Sequence, residues 1–200
     1  MRFFITTPDP DAMKRYILLV FFLISWIQVD AQDSLRRPKF SAYGSAGINL
    51  YLNNFDYFKK FVNPVHYNFS LRLMWEPASR VSIGLKTGYY RIYTVDFNGP
   101  NNGKFSLSAI PIQTFFTMTL YKGVYALFGM GPSLYFNNIS TSKGEVLNAS
   151  FYSLADISAG FGYIQKPRNS FSFGAEFEYF YSSKSNENLL SLSFIARLPL

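Results

Sequence analysis

Few residues in this chain could do covalent chemistry. There is one histidine, His66, and no cysteine among 200 residues. That excludes a thiolate nucleophile, a thiolate metal site and a disulfide framework. A histidine that activates a serine must lie within hydrogen-bond reach of it. The serine that shares a face with His66 is Ser70, four residues on and about 13 Å away at the rise of a strand. No carboxylate cluster has metal-ligand spacing. The residues therefore predict no catalytic site, cofactor or metal, and His66 reads as a rim histidine hydrogen-bonded to loop residues. The ionised side chains Arg72, Glu76, Lys86, Asp156, Glu176, Glu178 and Arg197 are more informative, because each stands on the polar side of a segment whose other side is apolar.

Residues 65–76 show the pattern most cleanly. Val65, Tyr67, Phe69, Leu71, Leu73 and Trp75 alternate with His66, Asn68, Ser70, Arg72, Met74 and Glu76. Successive side chains of a strand point to opposite faces, so this is a β-strand with one wholly apolar side. Its length matches the roughly 9–11 residues that a tilted strand needs to cross a bilayer. The same alternation predicts strands at 40–53, 65–76, 81–93, 105–120, 124–136, 151–164, 171–181 and 189–198. Polar segments at 54–64, 94–104 and 137–150 read as long loops. Pro77-Ala78-Ser79 and Tyr121-Lys122-Gly123 read as tight turns, and residues 165–170 and 182–188 as connections of middle length. Eight strands with short turns at one end and longer loops at the other predict an all-β, eight-stranded antiparallel up-and-down transmembrane β-barrel.

Composition agrees with that architecture. Charged residues make up 16% and aromatics 20%, against about 25% charged in ordinary globular chains. Mean hydropathy is only +0.04, so apolar residues are dispersed among polar ones, as alternation requires. The polar faces carry mostly Ser, Gly, Asn and Tyr, which suits a packed lumen better than the water-facing exterior of a soluble barrel. Trp75, Tyr89, Tyr163, Phe171, Tyr179 and Tyr181 lie near the ends of the apolar faces, where an interfacial girdle belongs. The net charge of +7 is scattered rather than clustered. This argues against nucleic acid and for anionic lipid headgroups as partners.

Met13-Lys14-Arg15, an apolar run from Tyr16 to Ile27 and Val29-Asp30-Ala31 have the form of a secretory signal peptide, with translation expected from Met13 and cleavage after Ala31. The domain reading is a signal peptide at 1–31, expected to be helical, a polar lead-in at 32–39 and a barrel at 40–200. In a closed ring of eight, strand two stands opposite strand six and strand three opposite strand seven. An eight-stranded lumen is just wide enough for side chains to fill it. Arg72 and Lys86 are therefore expected to meet Asp156, Glu176 and Glu178 across it, with Glu76 and Arg197 lower down. Three cations and four anions form a nearly neutral lining, which points to a plugged barrel rather than an ion-selective pore. Pro111 and Pro132 each delete a ladder donor. They flank the turn at Lys122 almost symmetrically, so they should stand nearly opposite each other, with a bulge or ladder break within two residues of one of them.

The A-I-P-I of strand four, L-F-G-M-G-P-S-L-Y of strand five and A-D-I-S-A-G-F-G-Y of strand six resemble the small outer-membrane β-barrel proteins of Bacteroidota, which are similar in form to OmpA/OmpX-type barrels. The likeness spans residues 40–200. It departs at Arg197-Leu198-Pro199-Leu200, where such barrels end on an aromatic. The resemblance implies a non-enzymatic protein of the cell outer membrane, with extracellular loops for binding or membrane integrity. Its implied partners are outer-membrane lipids, the barrel assembly machinery and an extracellular ligand or envelope partner. A narrow channel, a component of a secretion or assembly complex and a lipid-modifying enzyme are the alternatives.

Overall fold

The computed structural model describes residues 39–53, 62–77, 80–97, 103–141, 146–165 and 171–200. The signal peptide read at 1–31 and the lead-in up to residue 38 lie outside them. Eight long strands follow one another: β1 (Lys39–Tyr51), β2 (Val65–Glu76), β3 (Val81–Phe97), β4 (Gly103–Tyr121), β5 (Val124–Thr141), β6 (Val146–Ile164), β7 (Ser172–Tyr181) and β8 (Asn188–Pro199). A two-residue strand, Val62–Asn63, precedes β2 and also pairs with β3. Each long strand pairs antiparallel with its sequence neighbour, and β1 pairs with β8, closing the ring.

Alternation decides which side chains face where. In β2, Tyr67, Phe69, Leu71 and Leu73 are exposed, while Asn68, Ser70, Arg72 and Met74 are buried. Exposed large apolar side chains continue around the ring through Leu85, Ile112, Phe128, Phe161, Phe173 and Phe194. Side chains on the buried face are predominantly polar. An apolar outside and a polar inside is the arrangement of a barrel that spans lipid.

Two connections expected to be loops are largely strand. β3 runs to Phe97 and β4 begins at Gly103, so residues 94–97 and 103–104 of the loop read at 94–104 are strand. β5 runs to Thr141 and β6 begins at Val146, so the same holds for 137–141 and 146–150 of the loop read at 137–150. The reason is pairing. Asn137↔Ala149, Asn138↔Asn148 and Ile139↔Leu147 continue the ladder of the hairpin after its one-sided apolar pattern has faded. At the other end, the turn between β4 and β5 is carried by Lys122 and Gly123, both at positive φ (39° and 94°), the backbone of a primed hairpin turn. A Cβ at Gly123 would stand 2.3 Å from the Ile164 carbonyl oxygen.

The strand prolines disturb the ladders around them. Pro111 pairs with Ser133, one residue from Pro132. Between β5 and β6 the register shifts from Gly131↔Asp156 to Ser133↔Ser153. Leu154 and Ala155 together face Pro132 there, a bulge opposite a residue with no N–H to give. On the other side of β4 the ladder passes from Thr87↔Ile112 to Tyr90↔Ala109, skipping the stretch that faces Pro111.

Candidate functional site: a filled lumen and a sheet extension

Inward side chains fill the barrel in three layers. In the middle, β2 and β7 bring Arg72 and Glu176 together, with Nη2 2.6 Å from each carboxylate oxygen. β3 and β7 bring the Lys86 Nζ to 2.5 Å from both oxygens of Glu178. The Tyr125 hydroxyl donates to Glu176 at 2.5 Å. The Phe115 ring lies between the two cations, its centroid 4.9 Å from the Arg72 guanidinium and 4.9 Å from the Lys86 Nζ. Arg72 and Lys86 are 3% and 1% exposed, so bulk water does not solvate these ions. Their partners and the ring faces must do so. The glycines of this wall make room for the large rings. A Cβ at Gly162 would meet the Tyr125 ring end at 2.5 Å, and one at Gly129 would meet Phe115 at 2.6 Å.

Asp156 does not join a cation. Its carboxylate accepts from the Ser153 hydroxyl (2.5 Å), the Tyr135 hydroxyl (2.6 Å) and the Ser183 backbone N–H (3.1 Å). The expectation that it would pair with Arg72 or Lys86 is corrected here. The cations are satisfied by β7, and Asp156 lies beside the bulge, where it holds the β7–β8 turn instead. Arg197 and Glu76 form a separate ion pair near the short-turn end. Glu76 also accepts from the Tyr43 hydroxyl at 2.6 Å. This layer borders a cavity of about 250 Å³ lined by Tyr43, Ser82, Thr117, Tyr125 and Arg197, among others.

The opposite end of the lumen is apolar. Tyr51, Ile92, Tyr93, Leu107, Tyr135, Phe180 and Leu189 pack into one buried cluster. Above it, Glu187 accepts from the Tyr51 hydroxyl at 2.5 Å and the Asn53 amide at 3.1 Å. Burial holds the Glu187 carboxyl above the ordinary carboxylate range, against the pull of these two donors. Sequence reading placed Glu187 in a polar connection and gave it no role. Only its position directly before β8 hinted that it turns inward.

His66 and Ser70 are not brought together. The His66 Nε2 lies 3.1 Å from the Asn63 carbonyl oxygen and 3.2 Å from the Thr94 hydroxyl, while Ser70 shares a hydrogen bond of 2.7 Å with Ser45. Among the described residues, no group of three or more His, Asp or Glu side chains could hold a metal ion.

Outside the lumen, strand length is the distinguishing feature. β3, β4, β5 and β6 have 17–19 residues, and β7, β8, β1 and β2 have 10–13. The long four form a sheet that continues past the ends of the short four. β7 stops pairing at Ile157↔Tyr181. From Phe151 to Asp156 the outer edge of β6 is accompanied by the β7–β8 turn, through Ser153–Ser183 and Asp156–Ser183 hydrogen bonds and Lys184 over the Phe151 and Tyr152 rings. From Val146 to Ser150, no strand among the described residues pairs with that edge.

No protein-family model and no curated protein matches the chain. Solved structures do match. Ail, the attachment invasion locus protein of Yersinia pestis, solved in complex with the heparin analogue sucrose octasulfate, is 13% identical over 82% of this chain and 100% of that one, with a TM-score of 0.55. A major outer membrane protein from Thermus thermophilus is 12% identical over 82% and 100%, with a TM-score of 0.56. At such identities the likeness is one of fold, and that fold is the small eight-stranded barrel of outer-membrane proteins.

Proposed function

We propose that this chain is a non-enzymatic protein of the outer membrane, whose filled barrel anchors a sheet extension that binds a partner at the cell surface. The observation that carries the reading is the edge of β6 at Val146–Ser150, with which no strand among the described residues pairs. Exposed strand edges are normally blunted by charge, proline or a covering segment. Val-Leu-Asn-Ala-Ser has neither charge nor proline, and an edge of that kind is a template for an added strand. The closed charge layer supports the same reading against a channel, because Arg72, Lys86, Glu176 and Glu178 occupy the lumen in neutral pairs. Lipids surround the apolar belt, the barrel assembly machinery inserts the chain and the signal peptide at 1–31 directs its export. The sheet extension points outward from the cell.

The test has two arms. The purified protein in planar bilayers should show no steady ion conductance, and protease added to intact cells should cut within 54–64, 98–102 or 142–145 while sparing Pro77–Arg80 and Lys122-Gly123. Nanodisc-held protein should then select extended peptides from a display library. Successive N–H groups alternate between a strand's two edges, so one of Asn148→Pro and Ala149→Pro should remove that binding. Steady conductance, the inverse cleavage pattern or binding indifferent to both prolines would overturn the reading.

A further inference from the structure

Just beyond the apolar belt, the outward face of the β5–β6 hairpin changes chemistry abruptly. Leu134, Phe136 and Tyr152 are 45%, 41% and 59% exposed on its lipid side. One pair further along, Asn138 stands directly across from Asn148, and Ser150 across from Phe136. A groove of about 380 Å³ runs over this corner, lined by Phe136, Asn137, Asn138, Asn148, Ala149 and Ser150. Lys184 arrives from the β7–β8 turn along the edge of β6 and places its Nζ 5.0 Å from the centre of the outward Tyr152 ring and 5.8 Å from that of the inward Phe151 ring.

We propose that this groove binds the headgroup of an anionic, hydroxyl-bearing membrane lipid. The occupant follows from what the groove adjoins. Its floor is continuous with the belt that faces acyl chains, so the ligand it meets at highest concentration is a lipid lying against Leu134 and Phe136. The two facing amides and Ser150 offer both donors and acceptors to hydroxyl groups. Lys184, at the edge of β6 beside Tyr152, supplies a cation matched to a phosphate. A zwitterionic headgroup without hydroxyls would leave the amides unmatched and set its own ammonium near Lys184. The inference rests on the membrane placement proposed above, and the test keeps the two apart.

Wild-type protein is reconstituted in nanodiscs of phosphatidylcholine containing phosphatidylglycerol at one lipid in ten, and the lipids that remain bound after detergent extraction are counted by native mass spectrometry. Folding in pure phosphatidylcholine nanodiscs, read by the altered gel mobility of unheated samples, checks the barrel itself. Phosphatidylglycerol should be enriched about tenfold over its share of the bilayer, the return expected from two or three hydrogen bonds with one charged donor. Asn138→Ala with Asn148→Ala, and separately Lys184→Gln, should each reduce the enrichment several-fold without altering folding, since all three side chains are exposed and glutamine keeps the bulk of Lys184 over the Phe151 and Tyr152 rings. Retention of phosphatidylglycerol in proportion to its share, or undiminished enrichment in the folded Asn138→Ala/Asn148→Ala protein, would overturn the proposal.

Discussion

Replacing Arg72 with Met should expose how the lumen tolerates its ions. Methionine keeps most of the side-chain bulk against Phe115 and Tyr43 but leaves Glu176, 4% exposed, with Tyr125 as its remaining close donor. Breaking one partner out of a buried pair costs about 3–5 kcal/mol. A ceiling comes from protonation. An orphaned carboxyl can take up a proton, which at pH 7 costs roughly 1.36 × 2.7, or about 3.7 kcal/mol, from an ordinary carboxylate value of about 4.3. The lost guanidinium–ring contacts at 5.1 Å and 4.9 Å are partly replaced by thioether–ring contacts. The expected loss is therefore roughly 3–4 kcal/mol at pH 7. It should shrink to about 1–2 kcal/mol at pH 5, where the proton costs only about 1 kcal/mol. Adding Glu176→Gln should recover about 2 kcal/mol at pH 7 and nothing at pH 5. Urea titration of the protein folded in liposomes, followed by gel mobility of unheated samples, measures each value. A loss equal at both pH values, with additive single and double mutants, would refute the direct coupling of Arg72 and Glu176.

Other outcomes follow from the same architecture. Asp156→Ala should free the Ser183 amide and loosen the β7–β8 turn, speeding its hydrogen exchange and costing about 2–3 kcal/mol from three orphaned donors; unchanged exchange at Ser183 would deny Asp156 its holding role. Because Glu187 is raised by burial, the folded chain keeps a proton there over a window in which the unfolded chain has lost it. Its contribution to stability is therefore complete below the unfolded value and declines as pH rises through that window to the folded one. Glu187→Gln should flatten the decline, as read by unfolding midpoints between pH 4 and pH 7. Lys86→Met should behave like Arg72→Met, with Glu178→Gln as its partial rescue. A Lys86→Met protein as stable as wild type would mean the Lys86–Glu178 pair adds nothing.

The sequence disclosed the strands best where one face meets lipid. Residues 65–76 carry an unbroken apolar alternation, and β2 occupies those very residues. The signal failed where strands leave the apolar belt. Asn137, Asn138, Asn148 and Ser150 look like loop residues one at a time, and what makes them strand is pairing with each other, a relation no local pattern displays. The lumen was legible in its charges and in part in its pairings: the set Arg72, Lys86, Glu176 and Glu178 does pair, and opposition of strand three to strand seven holds for Lys86 and Glu178. Opposition around an idealised ring sets strand two against strand six, yet Arg72 of β2 meets Glu176 of β7. Strand tilt and register, which fix the height of each side chain, are not written in single residues. Pro111 and Pro132 were placed within one residue of their true opposition because a tight turn at Lys122 leaves the hairpin register little freedom.

The inequality of strand lengths also has a mechanical consequence. β6 and β7 share eight paired positions, from Ile157↔Tyr181 to Ile164↔Gly174. β2 and β3 share eight, from Asn68↔Tyr90 to Trp75↔Ile83, before the short Val62–Asn63 pairing. These two seams stand on either side of the long four strands, so the wall consists of two stiff panels, β3–β6 and β7–β8–β1–β2, stitched along two short hems. Shear or tension applied at the protruding panel concentrates on those hems, and the Arg72–Glu176 and Lys86–Glu178 pairs are the cross-ties from one panel to the other or across one of them. Arg72 and Glu176 both belong to the shorter panel and brace it from within. Lys86 and Glu178 span the divide. A pull on the surface sheet would thus load, besides the two hems, the Lys86–Glu178 pair and the Tyr125–Glu176 hydrogen bond, both of which cross from one panel to the other.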